Sequence, residues 1–525
     1  MKVTVRGVGK TVTVETAPGE TAASAVKSAG VFFQMPCGGR GRCGKCAVLV
    51  KGECGGLSEQ EAALLSRSRM AGEHADGLAR IACLCRVTGD CEIFVPSPGR
   101  VFVPGAVGVR AEYDGPAEGS CGVCADIGTT TVSSLLFSFE TGGLLASSHR
   151  MNSQAAYGAD VLSRIEYSNR GGLEALRESI VRQLGEMFGE MLLESGRRAS
   201  EVGRVVVTGN TTMLHFLTGL DPRGIGAAPF TPQSLFGCER PAGEIFPDLE
   251  RASLFLPPSI SAYVGADVTC GILSTDLTRD GRPRLLIDAG TNGETALWDG
   301  GRILCCSAAA GPAFEGAEIE MGMPAFPGAV RHVKTLDGAV KCETIDGAPP
   351  AGVCGSGMIS ALDMMLKEGI MDGGGRILDS GHPFTDLVFD LPGVRAFMLG
   401  GGVYLTQKDI RNIQLVKASI AAGVNVLIAK AGMTPGSLER LYLSGGFGST
   451  MDPGEASRVG LFPRELAGRA EAAGNTALAG ASQLLFSRAA REKLSGITEL
   501  AEEIPLSGNA DFMDEYVKQM LFSDE

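Results

Sequence analysis

Four cysteines carry the clearest chemistry in this chain. Cys37, Cys43 and Cys46 share one glycine-rich loop, PCGGRGRCGKC, and Cys83 follows after a further 36 residues. Thiolates at this density bind iron or zinc, and each iron of a 2Fe–2S cluster takes two of them. Three ligands from one loop wrap a cluster, and a fourth from a later segment closes the cage. Gly38, Gly39, Gly41 and Gly44 let the backbone come close and aim N–H groups at the sulfur. A structural zinc site is the competing reading, but zinc ligands usually come as two close pairs. Cys85 competes with Cys83 for the fourth position. With Cys54 and Cys91, seven of the fifteen cysteines fall in the first 91 residues. Cys121-x2-Cys124 has the spacing of a redox pair, but a strand position for Cys124 makes both read as buried apolar residues.

A second set of residues suits phosphate chemistry. Asp126-Ile-Gly-Thr-Thr-Thr131 follows an apolar strand. A Gly-Thr turn there offers N–H groups and hydroxyls to a phosphate, and the aspartate can hold Mg²⁺. Asp288-Ala-Gly-Thr-Asn-Gly-Glu294 repeats the pattern 162 residues later, and Ser444-Gly-Gly-Phe-Gly448 follows another strand 156 residues beyond that. Three unrelated turns in a chain with 74 glycines is the competing reading.

The elements around these residues fall into two styles. Residues 2–6 and 11–15 alternate and predict a hairpin. A helix runs from Thr21 to Gly30, a strand covers 47–50, and a helix starts at Ser58 with Glu61 in the capping-box position. Residues 91–95 close a β-grasp, ferredoxin-like α+β domain over 1–96. Residues 97–119 read as a linker. From Cys121 onward, apolar strands end in glycine turns and lead into helices, which predicts α/β architecture. A long helix over 408–430 has Thr406 and Asp409 as its capping pair and Gly432 as its stop.

Against this background the cysteine loop has one residue more than the plant-type C-x4-C-x2-C and resembles the adrenodoxin-like ferredoxins. In that resemblance Arg80-Ile-Ala-Cys-Leu-Cys85 aligns with the family's Arg-Leu-Ala-Cys, which implies Cys83 as the fourth ligand. The three glycine turns resemble the nucleotide site of the acetate and sugar kinase, Hsp70 and actin superfamily, a two-lobed RNase H-like fold that closes over ATP. The resemblance implies that Gly128, Thr129, Thr130 and Thr131 face the phosphates. It puts Asp126 and Asp288 at Mg²⁺, Gly290, Thr291, Asn292 and Gly293 in the second loop, and Gly445 and Gly446 against adenosine. Glu294 is the candidate for orienting the attacking water. The implied lobes are a middle domain over 120–282 and a C-terminal domain over 283–525.

Both halves in one chain resemble the reductive activators of corrinoid-dependent methyltransferases. The resemblance includes Asn152-Ser-Gln154, Tyr157-Gly-Ala-Asp160, Gly209-Asn-Thr-Thr-Met213 and Ala310-Gly-Pro-Ala-Phe-Glu-Gly316. It continues through Gly352-Val-Cys-Gly-Ser-Gly357, Thr406-Gln-Lys-Asp-Ile410 and Gly474-Asn475. Relatives with C-terminal 4Fe–4S motifs differ, since the last 170 residues here contain no cysteine. The resemblance implies an ATP-dependent corrinoid reductase that returns Co(II) to Co(I). Its cofactors would be a 2Fe–2S cluster and ATP with Mg²⁺. Its partners would be a corrinoid methyl-carrier protein, an upstream low-potential electron donor and a second copy in a homodimer. Plant-type clusters sit near ~−400 mV and the family's cobalt couple lies lower, so a bare ferredoxin would transfer few electrons.

Other functions compete. An activator of a 2-hydroxyacyl-CoA dehydratase or a benzoyl-CoA reductase would share the ATPase fold, but it would hold a 4Fe–4S cluster between two subunits. A small-molecule kinase would need a base such as Asp160 or Asp267. A non-catalytic ATP-driven binding module would leave the cysteine loop unexplained. His215 reads as a helix residue with a small role open to it at the corrinoid partner, and Trp298, Met321 and Met323 read as packing.

Composition agrees with these readings. The net charge of −13 and the absence of basic runs exclude nucleic acid and anionic membranes as partners. MKVTVRGVGK lacks the apolar run of a signal peptide. The most apolar helical stretch, 418–431, is shorter than the ~20 residues a membrane span needs. A cytoplasmic protein is expected.

Overall fold

The structure is a computed structural model that describes residues 1–7, 10–29, 31, 35, 39–41, 44–65, 73–74, 77–95, 119–446 and 448–522. Cys37, Gly38, Cys43 and all but the last residue of the expected linker lie outside the described residues. The chain divides into two compact units, Met1–Gly99 with Met151–Ile180, and Arg100–Arg150 with Val181–Glu525. Within the first unit the Lys27 ammonium lies 5.7 Å from the ring centroid of Tyr157, so residues beyond 150 pack beside the first helix.

The first unit carries a six-stranded sheet in the order Lys10–Glu15, Lys2–Gly7, Val87–Phe94, Ala47–Cys54, Gly77–Ile81, Glu73–His74. Lys2–Gly7 pairs antiparallel with its hairpin partner and parallel with Val87–Phe94. Val3 and Val5 are buried, as alternation requires. The Thr21 hydroxyl caps helix Ala22–Ser28 by accepting from the Ser24 N–H at 3.1 Å. The second helix, Glu59–Leu65, departs from expectation. Ser58 Oγ accepts from the Glu61 N–H, but the Glu61 carboxylate does not complete the capping box. It accepts instead from Arg80 Nε and Nη2 and from the Ile81 N–H, all within 2.9 Å. Both charged groups are buried, and a buried charge is tolerable only when it is paired and hydrogen-bonded.

The second unit is built on two six-stranded sheets with one plan. In the first, strand Cys121–Ile127 is followed by an antiparallel neighbour, Thr131–Ser138, and flanked on its other side by the parallel strand Val202–Gly209. In the second, Arg284–Ala289 is followed by antiparallel Gly293–Trp298 and flanked by parallel Arg440–Ser444. The turns at 128–130 and 290–292 thus occupy the same topological position. Helices Ala266–Ser274 and Thr476–Phe486 join the sheets through one core that includes Cys124, Val206, Cys270, Leu286 and Leu484. Their backbones touch closely: a Cβ on Gly480 would lie 2.2 Å from the Cys270 carbonyl oxygen.

Helix Gln407–Lys430 starts at Thr406, whose hydroxyl and the Asp409 carboxylate form the capping box, and ends before Gly432 at φ 66°. It is long and apolar enough to cross a membrane, yet 78% of its most apolar window is buried inside the protein, so it serves as a core helix. Cys121 and Cys124 lie on one strand as fully buried free thiols. His215 is fully buried in helix Thr211–Thr218 with Nδ1 2.7 Å from the Thr211 carbonyl, which removes it from contact with any partner. Trp298 is buried and donates to the Asp280 carbonyl. Asp160 caps helix Val161–Tyr167 with its carboxylate, which accounts for it without a catalytic role.

Candidate nucleotide cleft and cluster loop

The cleft in the second unit forms where strands stop. Strand Cys121–Ile127 is paired on both sides, so its backbone is satisfied and only its C-terminal end is open to a ligand. Asp126 sits at that end, and Asp288 occupies the matching place on Arg284–Ala289. One cleft is lined by Asp126, Gly128, Thr129, Thr130 and Thr131, by Asp288, Gly290, Thr291, Asn292 and Glu294, and by Gly445 and Gly446. Of the residues expected there, only Gly293 is elsewhere. It begins the next strand, and a Cβ on it would lie 2.5 Å from Ile420 Cγ1, so it is a packing glycine. Gly445 has φ 94°, and its missing Cβ would meet the Ala289 carbonyl at 2.4 Å. Gly446 faces open space.

Asn210, Asp267, Glu315 and Asn475 also enter the cleft. Each asparagine is a helix N-cap with a second task. Asn210 Oδ1 accepts from the Met213 N–H while its Nδ2 donates to Thr129 Oγ1 at 3.2 Å. Asn475 Oδ1 accepts from the Leu478 N–H while its Nδ2 donates to Asp126 Oδ2 at 3.0 Å. Asp267 lies in the first turn of Ala266–Ser274, and Cys354, Gly355 and Ser356 bring the start of Gly355–Lys367 to the same cleft. Four helix starts therefore line it, each turning the positive end of its dipole toward the cleft. An Asn after a strand and before an apolar run is a legible cap signal, but which way its amide faces is not. Met323, expected to pack, lines the cleft with Pro324 and Ala325.

The electrostatics are dominated by carboxylates. Desolvation pushes Asp126 up to about 7, with a smaller push from Asp288, against the Asn475 hydrogen bond. Desolvation raises Asp267 to about 8, helped by Asp126 and Asp288. Asp288 rises to about 6 for the same first reason, opposed by the Ser444 hydroxyl. Glu294 is also raised well above the usual range, by burial and then by Asp267 and Asp288. No lysine, arginine or histidine is among the described residues lining the cleft. Anionic phosphates could stay here only with a divalent cation shared among these carboxylates.

In the first unit, Cys46 and Cys83 place their sulfurs 3.4 Å apart. Two thiolates on one tetrahedral metal with bonds of ~2.3 Å lie about 3.8 Å apart, so this pair fits one metal ion. Gly39, Gly41 and Gly44 have φ of 82°, 65° and 67°, which only glycine adopts freely. Cys85 lies two residues beyond Cys83. It is fully buried in the apolar core, and burial pushes its thiol up to about 12.

Three family models match the chain in order. They are described as 2Fe-2S iron-sulfur cluster binding domain, over residues 5–88, RACo middle region, over 121–280, and C-terminal domain of RACo, the ASKHA domain, over 282–525. Among curated relatives, the corrinoid activation enzyme RamQ of Eubacterium limosum is 32% identical over 423 residues, covering 77% of this chain and 70% of that protein. The Co(II) methylated amine-specific corrinoid protein reductase of Methanosarcina barkeri is 30% identical over 415 residues, covering 73% and 72%. A solved structure, the reductive activator for corrinoid, iron-sulfur protein, superposes with a TM-score of 0.71 at 27% identity, covering 99% of this chain and 98% of that one.

Proposed function

The chain belongs to the family of reductive activators of corrinoid proteins, and from that premise we propose that it uses ATP to drive one electron onto the cobalt of a corrinoid partner. The reduction takes Co(II) to Co(I). The electron leaves the first unit, and an upstream low-potential donor restores it. We assign the cluster ligands as Cys37, Cys43, Cys46 and Cys83. A 2Fe–2S cluster bound there supplies a one-electron carrier near ~−400 mV. The protein's part is to hold four thiolates and offer glycine N–H groups to the sulfur.

The observation that carries the ATP half is the makeup of the cleft: two matching strand-to-turn sites, four helix starts, a set of carboxylates and no cationic side chain among the described lining residues. That makeup favours a nucleotide bound together with Mg²⁺. Asp126 and Asp288 are the residues to hold the cation or its waters. Thr129, Thr130, Thr131, Thr291 and Asn292 donate to phosphate oxygens, and Gly446 leaves room for adenosine. Asp267 and Glu294 line the same cleft and, once Mg²⁺ has expelled the protons that burial favours, are our candidates to take a proton from attacking water. ATP can move the electron uphill only if nucleotide and partner each favour the same conformation.

Single-turnover mixing tests the electron path. Protein with its cluster reduced is mixed anaerobically with the Co(II) corrinoid protein and Mg-ATP. Cluster oxidation and Co(I) formation should proceed with one rate constant and in equal amounts. Cobalt reduction without matching cluster oxidation would contradict the assignment.

A further inference from the structure

One carboxylate touches both phosphate turns. Glu315 ends the short 3-10 turn Pro312–Glu315, and its side chain reaches into the cleft. Thr130 Oγ1 donates to Glu315 Oε2 at 2.5 Å, and Thr291 Oγ1 lies 2.9 Å from both carboxylate oxygens. The two threonine oxygens are 3.5 Å apart. One hydroxyl from each turn thus converges on a single anion, and that anion belongs to the protein. A terminal phosphate bridging the two turns needs the same two donors.

We propose that Glu315 is an internal stand-in for the terminal phosphate of the nucleotide. Its carboxylate clasps Thr130 to Thr291 in the nucleotide-free cleft, and a triphosphate displaces it. A diphosphate, one phosphate shorter, leaves the clasp in place. The inference rests on reading the cleft as a nucleotide site and adds how that site senses the third phosphate. Displacement follows from donor count: each threonine hydroxyl has one proton, and both are already given to Glu315, so a phosphate that needs the same two donors must take the carboxylate's place.

The segment around Glu315 is built into its surroundings, with Phe314 in the core. Gly311 and Gly316 flank it at φ 86° and 83°. Its far end is tied to the start of helix Gln407–Lys430, where the Glu320 N–H donates to Asp409 Oδ1 at 2.8 Å and Asn412 Nδ2 donates to the Glu318 carbonyl at 2.9 Å. A displaced Glu315 therefore pulls on a segment anchored to the capping residue of the longest helix. Release of the clasp reaches a rigid element beyond the cleft.

Calorimetric titration of the full-length protein with Mg-ATP and with Mg-ADP tests this, using wild type, Glu315→Ala and Glu315→Gln. Both variants should bind Mg-ATP tighter, by about tenfold for Glu315→Ala, while Mg-ADP affinity stays within twofold. ATP should also lose its ability to change protease cleavage within 311–323. Glu315→Gln keeps the side chain's size, so it reports even if the alanine variant folds poorly. Unchanged or weakened ATP binding in both variants would overturn the proposal and make Glu315 a direct ligand of the nucleotide's cation or a packing residue. A wild type that binds neither nucleotide would overturn the nucleotide-site reading itself, and this proposal with it.

Discussion

Asn475 donates from Nδ2 to Asp126 Oδ2 at 3.0 Å, across 349 residues of chain. The same side chain caps helix Thr476–Phe486 through Oδ1. One residue thus holds a C-terminal helix and the first phosphate turn in register, and the two roles separate by mutation. Asn475→Asp keeps a cap acceptor but sets a carboxylate against Asp126, so ATP-dependent activity should fall at least about tenfold with little change in Tm. Asn475→Ala loses both roles and should also cost about 1 kcal/mol of stability. Calorimetric melts beside activity assays check both.

The raised carboxylates predict a pH dependence. In an unfolded chain these groups titrate near 4, whereas Asp288, Asp126 and Asp267 sit at about 6, 7 and 8 in the fold. A carboxyl held protonated above its unfolded value contributes stability that is full below about pH 4 and is lost as pH rises through the folded values. Ligand-free protein should therefore lose Tm between about pH 4 and pH 8, and Mg²⁺ should restore more of it at pH 8 than at pH 6. Mg-ATP binding must expel those protons, so its affinity should rise over pH 6–8. Titrations in buffers of different ionisation enthalpy would show the proton release.

Cys83 and Cys85 should respond differently to serine. Cys83→Ser removes a sulfur 3.4 Å from that of Cys46 and should abolish or strongly alter the visible spectrum of the cluster. Cys85→Ser should leave that spectrum intact and cost about 1–3 kcal/mol, because it trades a buried thiol for a more strongly solvated hydroxyl at a fully buried position. Absorption spectra and melts of both variants decide it.

Gly293 offers a negative control for the nucleotide turn. Gly293→Ala presses a methyl against Ile420 and should cost about 1–3 kcal/mol. Mg-ATP affinity of the folded variant should stay near wild type, since the residue does not line the cleft.

Much of this was legible in the sequence because local signals and global fold agree. Alternation at 2–6 and 11–15, the Thr406 and Asp409 cap, and two Asp-x-Gly-Thr turns after apolar strands each translate into the element they imply. What was hidden depended on distance in the fold. Glu61 fits a capping box by spacing, but Arg80 across the sheet claims its carboxylate. Asp267 stands in the sequence as a candidate kinase base, and nothing local says that the fold sets its charge against Asp126 and Asp288. Glu315 lies in a glycine-flanked stretch with no periodicity, and nothing local says that it meets threonines 185 and 24 residues away. Gly293 shows the opposite failure: it extends a motif in sequence but turns away from the cleft in space.

The central claim is that nucleotide in the carboxylate-lined cleft drives the electron onto cobalt. The most direct measurement is Co(I) absorbance in an anaerobic mixture of cluster-reduced protein and Co(II) corrinoid partner. It would be followed with and without Mg-ATP, for wild type and for Asp288→Asn. Co(I) should form with wild type and Mg-ATP, and fall by about 10²-fold or more without nucleotide or with the variant. Equal Co(I) formation in all four mixtures would contradict the account.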